Sequence, residues 1–356
     1  MAKWAFRCRS LAVLTVLALV AAACGHNDND DRIAEQDKNA PLGSDYGEGI
    51  VVGFSMDTLI EARWLKDRDL FVAAVERMGA EVNVQAAGGD EEKQVFHAEN
   101  LISLGVDILV VVPNNAEVMT EVVEEAHAAG IKVLSYDRLI KGADVDLYIS
   151  FDNEKIGRMQ AEAIKKQVPK GNIVYIGGSE MDNNSHLLRK GAFSVLQPLI
   201  DNGDLNIIED RFTDEWLPAK AQETMQRVLE NAGSRVDGVI SANDGMAGGI
   251  IDALMTMDLQ GKVAVTGQDA DLMAIRRIIQ GTQTMTVYKP IDLLAETAAE
   301  LAIKLARGEA VTADKYVNNG KGEIPSVLLD PIFVDQSNID ATVIADGFHK
   351  REDVYK

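Results

Sequence analysis

The chain has 356 residues, 47% hydrophobic and 26% charged, with 56 Asp and Glu against 35 Lys and Arg and a formal net charge of −21. That length suffices for two domains. So acidic a balance argues against nucleic acid, whose affinity comes largely from Lys and Arg neutralising phosphates, and it is a poor match for a heavily anionic ligand.

The first predicted element is an export signal. Lys3, Arg7 and Arg9 flank the start of an apolar run from Leu11 to Ala23, too short to span a bilayer and typical of a signal-peptide core. Ala21-Ala22-Ala23 before Cys24 resembles the bacterial lipobox, in which the cysteine is acylated and becomes the new N-terminus. Residues 1–23 are therefore expected to be removed and Cys24 lipidated, with enough buried methylenes for stable anchoring. Cleavage removes three basic and no acidic residues, so the mature chain is more acidic still. Cys8 leaves with the signal, and Cys24 alone offers no disulfide and no thiolate metal site within one chain. Residues 24–47 are polar, acidic and aperiodic, which predicts a disordered tether. The Asn/Asp run at 27–31 lacks the Gly and Glu spacing of a calcium loop, so no metal is expected there.

From residue 48 onward, apolar runs alternate with helical patterns. Strands are predicted at 50–55, 81–87, 107–113, 132–136 and 147–151, and again at 172–178, 205–210, 238–242, 263–267 and 284–288. Several are continuous Val/Ile/Leu stretches, as in parallel strands covered on both faces. Phe71, Ala74, Val75 and Met78 fall on one helical face closed by Gly79, and Leu294, Ala298, Leu301, Ala302 and Leu305 on another closed by Gly308. Strands alternating with helices predict α/β architecture with parallel sheets. One sheet is not expected to hold so many strands, so the chain divides near Asp152, and leaves the second group near Lys289. Residues 290–327 supply a further helix and an irregular NNGKGE loop. The tail at 327–335 looks strand-like, with Pro331 marking an edge or a crossing.

Enzyme signatures are missing. No GxGxxG follows a strand, and there is no GxxxxGK[ST], GxSxG or HExxH. No catalytic residue, metal site or cofactor is expected. Instead, four strands run into polar pairs: Asp137-Arg138, Asn183-Asn184, Asn243-Asp244 and Gln268-Asp269. Ligands of open α/β sheets sit outside the carboxyl ends of the strands. Carboxylates, amides and a guanidinium gathered there suit a neutral molecule covered in hydroxyls. Asn is also a favoured helix cap and turn residue, so each pair alone could be purely structural. Trp64 and Trp216 could wall such a site, and Lys289 stands where the chain leaves the second group of strands.

The segments ERW-KDRD-F, VLSYDR, DLYISFDNEKIG, GGS--DNN, NDGMAGG, GQDAD and GTQTMTVYKP are similar to those of bacterial D-xylose-binding proteins, through most of residues 50–350. One spacing departs by a residue: Glu61 is separated from Arg63-Trp64 by Ala62. The resemblance implies the type I periplasmic binding protein fold, two Rossmann-like lobes joined by a three-segment hinge. The N-terminal lobe would comprise 48–152 plus 290–327, and the C-terminal lobe 153–289 plus 328–356. It implies a sugar held by Arg63, Asp137, Arg138, Asn184, Asn243, Asp269 and Lys289, with Trp216 stacking on the ring and Trp64 as a second wall. Asn183, Asp244 and Gln268 are left with turn or capping roles. The implied function is capture of a monosaccharide, D-xylose first, for delivery to an ABC permease and its ATPase by a monomeric, membrane-anchored receptor with no nucleic-acid partner. Glucose, arabinose, ribose and galactose stay open as ligands, and a sensor or chemoreceptor as a partner. An exported sugar enzyme and a sugar-sensing repressor are rivals, the latter lacking the basic N-terminal helix-turn-helix it needs.

Overall fold

A computed structural model describes residues 43 and 45–356, apart from 233, 234 and 314. The predicted signal peptide, Cys24 and nearly all of the predicted tether lie outside the described residues.

The first half alternates strand and helix up to β4, which β5 follows directly: β1 (Val51–Met56), α1 (Ala62–Arg77), β2 (Glu81–Ala86), α2 (Glu91–Ser103), β3 (Ile108–Val112), α3 (Thr120–Ala128), β4 (Lys132–Tyr136) and β5 (Leu147–Phe151). The alternation continues through α4 (Asn153–Gln167), β6 (Gly171–Ile176), α5 (Asn183–Asp201), β7 (Leu205–Arg211), α6 (Pro218–Ala232), β8 (Gly238–Ser241) and α7 (Asp244–Met255). It ends with β9 (Ala264–Val265), α8 (Leu272–Ile279), β10 (Thr286–Tyr288), α9 (Ile291–Ala306), β11 (Lys315–Asn318), β12 (Glu323–Leu329) and β13 (Ile332–Val334).

One sheet has the order β11-β12-β5-β4-β3-β1-β2, the other β7-β6-β8-β9, and β10 and β13 form a separate pair. All pairings within the two larger sheets are parallel except β11 with β12. Strands β3 and β5 are buried at every position, because helices cover both faces of a parallel sheet. Phe54 of β1, Phe71 of α1 and Tyr136 of β4 meet with ring centroids 4.6–5.8 Å apart, in the tilted and edge-on geometries aromatic rings prefer. Helix α1 presents buried Phe71, Ala74 and Val75 to that core, and Gly79 closes it with φ +86°.

The end of the chain departs from the sequence expectation in four places. The predicted strand at 263–267 is ordered only at Ala264–Val265, and 284–288 only at Thr286–Tyr288. The latter pairs antiparallel with β13 rather than joining the four-stranded sheet. The stretch read as an irregular NNGKGE loop is the turn of a hairpin between β11 and β12, with buried Asn319 donating to the Ile140 and Ala143 carbonyls at 3.0 and 2.7 Å. The tail read as one strand is two. β12 stays paired with β5 through Leu329, past residue 327, and β13 begins beyond Pro331 in another sheet. Proline has no N–H for a ladder, so it sits where the chain changes sheet.

Candidate functional site

Parallel strands put all their carboxyl ends at one edge of a sheet. Here the carboxyl edges of the two larger sheets share a small cavity. Residues following β1, β4, β6, β7, β8, β9 and β10 all contribute to its lining. Arg63 and Trp64 come from the start of α1, Asp137-Arg138 from the end of β4, and Asn184 from the first turn of α5. Trp216 follows β7, Asn243 follows β8, Asp269 follows β9 and Lys289 follows β10. All nine residues singled out in the sequence line this one space. Glu61, Asp182 and Gln268 complete it.

The polar side chains hold one another. Arg63 donates to Asp137, and its Nε lies 3.0 Å from Asp67. The hydroxyl of Tyr136 donates to the other oxygen of Asp67 at 2.7 Å, so Tyr136–Asp67–Arg63 is an orienting relay. Arg138 reaches Asp57 at 2.7 Å and Asp182 at 2.9 Å, linking the edges of both sheets. Lys289 Nζ is 2.8 Å from Asp269, with Arg63 3.5 Å from the same oxygen. Asn184 donates to both the carboxylate and the main-chain carbonyl of Asp137 at 3.2 Å. Asn243 caps α7, accepting from the Met246 N–H at 2.8 Å, so its capping and cavity-lining roles coexist. Trp64 faces two guanidiniums, with Arg63 and Arg138 4.5 and 5.1 Å from its ring centre.

Burial alone would raise the pKa of Asp137, but Arg63, Lys289 and Arg138 outweigh it and hold the carboxyl below its ordinary value. For Asp182, burial wins over Arg138 and the pKa is raised. Burial raises Glu61 and Asp67 as well, against Arg138 and Arg63 respectively. Three cations meet four carboxylates in the lining, leaving no surplus positive charge for an anion. A neutral ligand with many hydroxyls fits such a set, because each hydroxyl both donates and accepts.

Trp216 packs flat against a glycine. A Cβ on Gly178 would lie 2.3 Å from three atoms of the indole, so only glycine lets the ring lie over that backbone. Both Glu215 and Trp216 have positive φ, which turns the ring inward from an otherwise polar segment. Trp216 Nε1, Gln268 Oε1 and Glu61 Oε2 are buried and find no hydrogen-bond partner among the described residues.

Two roles assigned from sequence are extended. Gln268 lies in a bend between β9 and α8, and it is also buried in the cavity wall. Asp244 does more than begin α7. Its carboxylate accepts from Gln283 at 2.7 Å, Thr286 at 2.8 Å and the Asp271 N–H at 3.0 Å, and so braces the loop bearing Asp269. Asn183 is the first residue of α5, outside the cavity, and the cap is Asp182. Sequence reading missed Glu61, Asp182 and the supporting Asp57 and Asp67. Glu61, Asp182 and Asp67 lie within four residues of a residue already singled out, and that proximity was the available signal; Asp57 lies six residues before Arg63. Among the described residues, no cluster of three or more His, Cys, Asp or Glu is arranged to hold a metal ion.

Fold and cavity together define a ligand-binding protein of the two-sheet α/β class. The periplasmic binding protein domain family matches residues 52–310, and the chain belongs to that family. It is 50% identical over 312 residues to the D-xylose-binding periplasmic protein of Haemophilus influenzae, covering 88% of this chain and 94% of that protein. The identity to the D-xylose-binding periplasmic protein of Escherichia coli is also 50%, over 309 residues, covering 87% and 94%. Among solved structures, an ABC transporter solute-binding protein from Clostridium phytofermentans with bound β-D-glucose superimposes with a TM-score of 0.80. It is 30% identical, covering 85% of this chain and 99% of that one. The fold is thus the type I periplasmic binding protein fold expected from the sequence.

Proposed function

We propose that this chain is the solute-binding component of a sugar ABC transporter, and that the cavity captures one monosaccharide, D-xylose, for delivery to the permease and its ATPase. The carrying observation is the convergence of nine residues from separate strand ends on one cavity whose three cations are each paired with a carboxylate. The cavity is small, and its lining is dominated by side chains that donate to or accept from hydroxyls. The relatives that bind D-xylose support the choice of sugar. Asp137, Asp269 and the amides of Asn184 and Asn243 meet hydroxyls. Arg63, Arg138 and Lys289 donate, and Trp216 offers an aromatic face to the C–H side of the ring. A site that bonds each hydroxyl rejects sugars that leave its groups unpaired. Binding energy then shifts an equilibrium between open and closed arrangements of the two sheets, with no bond made or broken in the sugar.

The test is a thermal-shift and calorimetry panel of free monosaccharides. D-xylose is expected to raise the melting temperature most, since a ligand at 100 times its Kd stabilises by about 2.7 kcal/mol. Failure of every monosaccharide to shift the transition would overturn the reading. Export with acylation of Cys24 belongs to the same proposal, supported by the lipobox-like run Ala21-Ala22-Ala23-Cys24. The mature N-terminal peptide should be heavier than its bare sequence by acyl chains in mass spectrometry, and an unmodified Cys24 would remove the anchor.

A further inference from the structure

We infer that Glu61 contacts the ligand directly: its carboxylate accepts a hydrogen bond from one hydroxyl of the bound sugar at the neck of the cavity, and thereby selects sugars that present a donor there. This inference rests on the monosaccharide reading above.

Glu61, Arg138 and Trp216 line both the inner cavity and a larger adjoining chamber. They form the neck between a space for one ring and a wider one. Glu61 is also the N-cap residue of α1, a position where short side chains such as Asp or Ser accept from a free helix N–H. Glu61 makes no such bond, so its side chain takes no part in capping. Its oxygen Oε2 is nevertheless buried and has no partner among the described residues. A buried acceptor left unpaired costs roughly 1–3 kcal/mol, more when charged, and a ligand hydroxyl removes that penalty. Burial raises the pKa of Glu61 although Arg138 and the residue's own backbone N–H oppose it. Asp137, by contrast, is held down by Arg63, Lys289 and Arg138. Of the lining carboxylates, Asp137, Asp182 and Asp269 each have a cation within ion-pair distance, whereas no such pair involves Glu61 among the described residues. The one-residue departure in spacing, Glu61-Ala62-Arg63, gives this chain a glutamate at that position.

Calorimetry with D-xylose and its singly deoxygenated analogues tests the assignment on wild type, Glu61→Gln and Glu61→Leu. Glu61→Leu should weaken D-xylose by ~10-fold or more, on the scale of one lost hydrogen bond to a charged group. Glu61→Gln, which keeps an acceptor, should lose less. One deoxy sugar should bind wild type and Glu61→Leu almost equally, naming the hydroxyl that Glu61 meets. D-xylose affinity in Glu61→Leu within about two-fold of wild type, or an equal loss for every analogue, would overturn the inference, the latter meaning a purely structural effect. If wild type binds no monosaccharide at all, the proposed function fails first and separately.

Discussion

Three of the nine cavity residues first marked by sequence sit in a conformation that ordinary residues avoid. Asp137, Trp216 and Asp269 have φ of +58°, +59° and +93°. Such backbone costs of order 1–3 kcal/mol each and persists only where its surroundings fix it. At Asp137 the main-chain oxygen accepts from Ser150 at 2.6 Å and Tyr148 at 3.1 Å, and its N–H donates to Ile149 at 2.7 Å. Behind Asp269 the restraint is the carboxylate of Asp244, which holds the Asp271 N–H. Burial, then the neighbouring Asp271, raises the Asp244 pKa well above the ordinary value; burial, then Asp269, raises Asp271 to about 6. The sign follows from linkage. The folded state holds these protons more tightly than the unfolded chain, where Asp titrates near 3.9. For Asp271 the stabilisation is present in full below about pH 4 and is lost as pH rises through about 6. Asp271→Asn, which cannot ionise, should therefore be more stable than wild type at pH 7.5 by on the order of 2 kcal/mol. The gap should close by pH 4. Denaturant unfolding across that range checks it, and a gap independent of pH would refute the assignment.

Among the elements, α4 and α5 set the position of one wall. They cross with glycine against backbone in both directions. A Cβ on Gly157 would lie 2.0 Å from the Leu188 carbonyl oxygen, and one on Gly191 2.0 Å from that of Glu154. This approach places the start of α5, with Asp182 and Asn184, beside Asp137 and Arg138. Alanine favours a helix over glycine by about 1 kcal/mol, but overpacking costs about 1–3 kcal/mol and sometimes more. With backbone on the far side unable to yield, the clash should win. Gly191→Ala is expected to lower the urea midpoint, by about 2 kcal/mol or more in stability. Gly245→Ala in α7, where the nearest atom to an added Cβ is 3.5 Å away, should be neutral or slightly stabilising. Equal behaviour of the two would mean that the helices slide apart at little cost. Elements of this kind were legible where burial on both faces wrote continuous apolar runs, as in β3 and β5. They were not legible where pairing depends on a distant partner. β9 is only two residues long, and the β11–β12 hairpin announced itself only through Asn319-Gly320, a favoured hairpin dipeptide.

For the whole molecule, the site was legible because parallel strands deliver their last residues to one edge, so polar pairs far apart in sequence could be assigned to one place. What the sequence could not reveal is how those groups pair in three dimensions. Nothing in the spacing says that Arg138 reaches Asp57 and Asp182 at once, or that Asp67 aims Arg63. Gln268 illustrates the limit, since a turn glutamine and a cavity glutamine look alike until the opposite wall is in place. Lys289 shows what the assembled arrangement adds. It stands between β10 and α9, at one of the places where the chain passes between the sheets, and its Nζ lies 6.0 Å from the ring of Phe151, beside another. With only 3% of its surface exposed, it also lines the cavity. In the proposed cycle the ligand thus grips the machine close to its axle. A pull of an ångström on this ammonium is a short lever arm, and the far rims of the two sheets sweep through a longer arc for the same rotation.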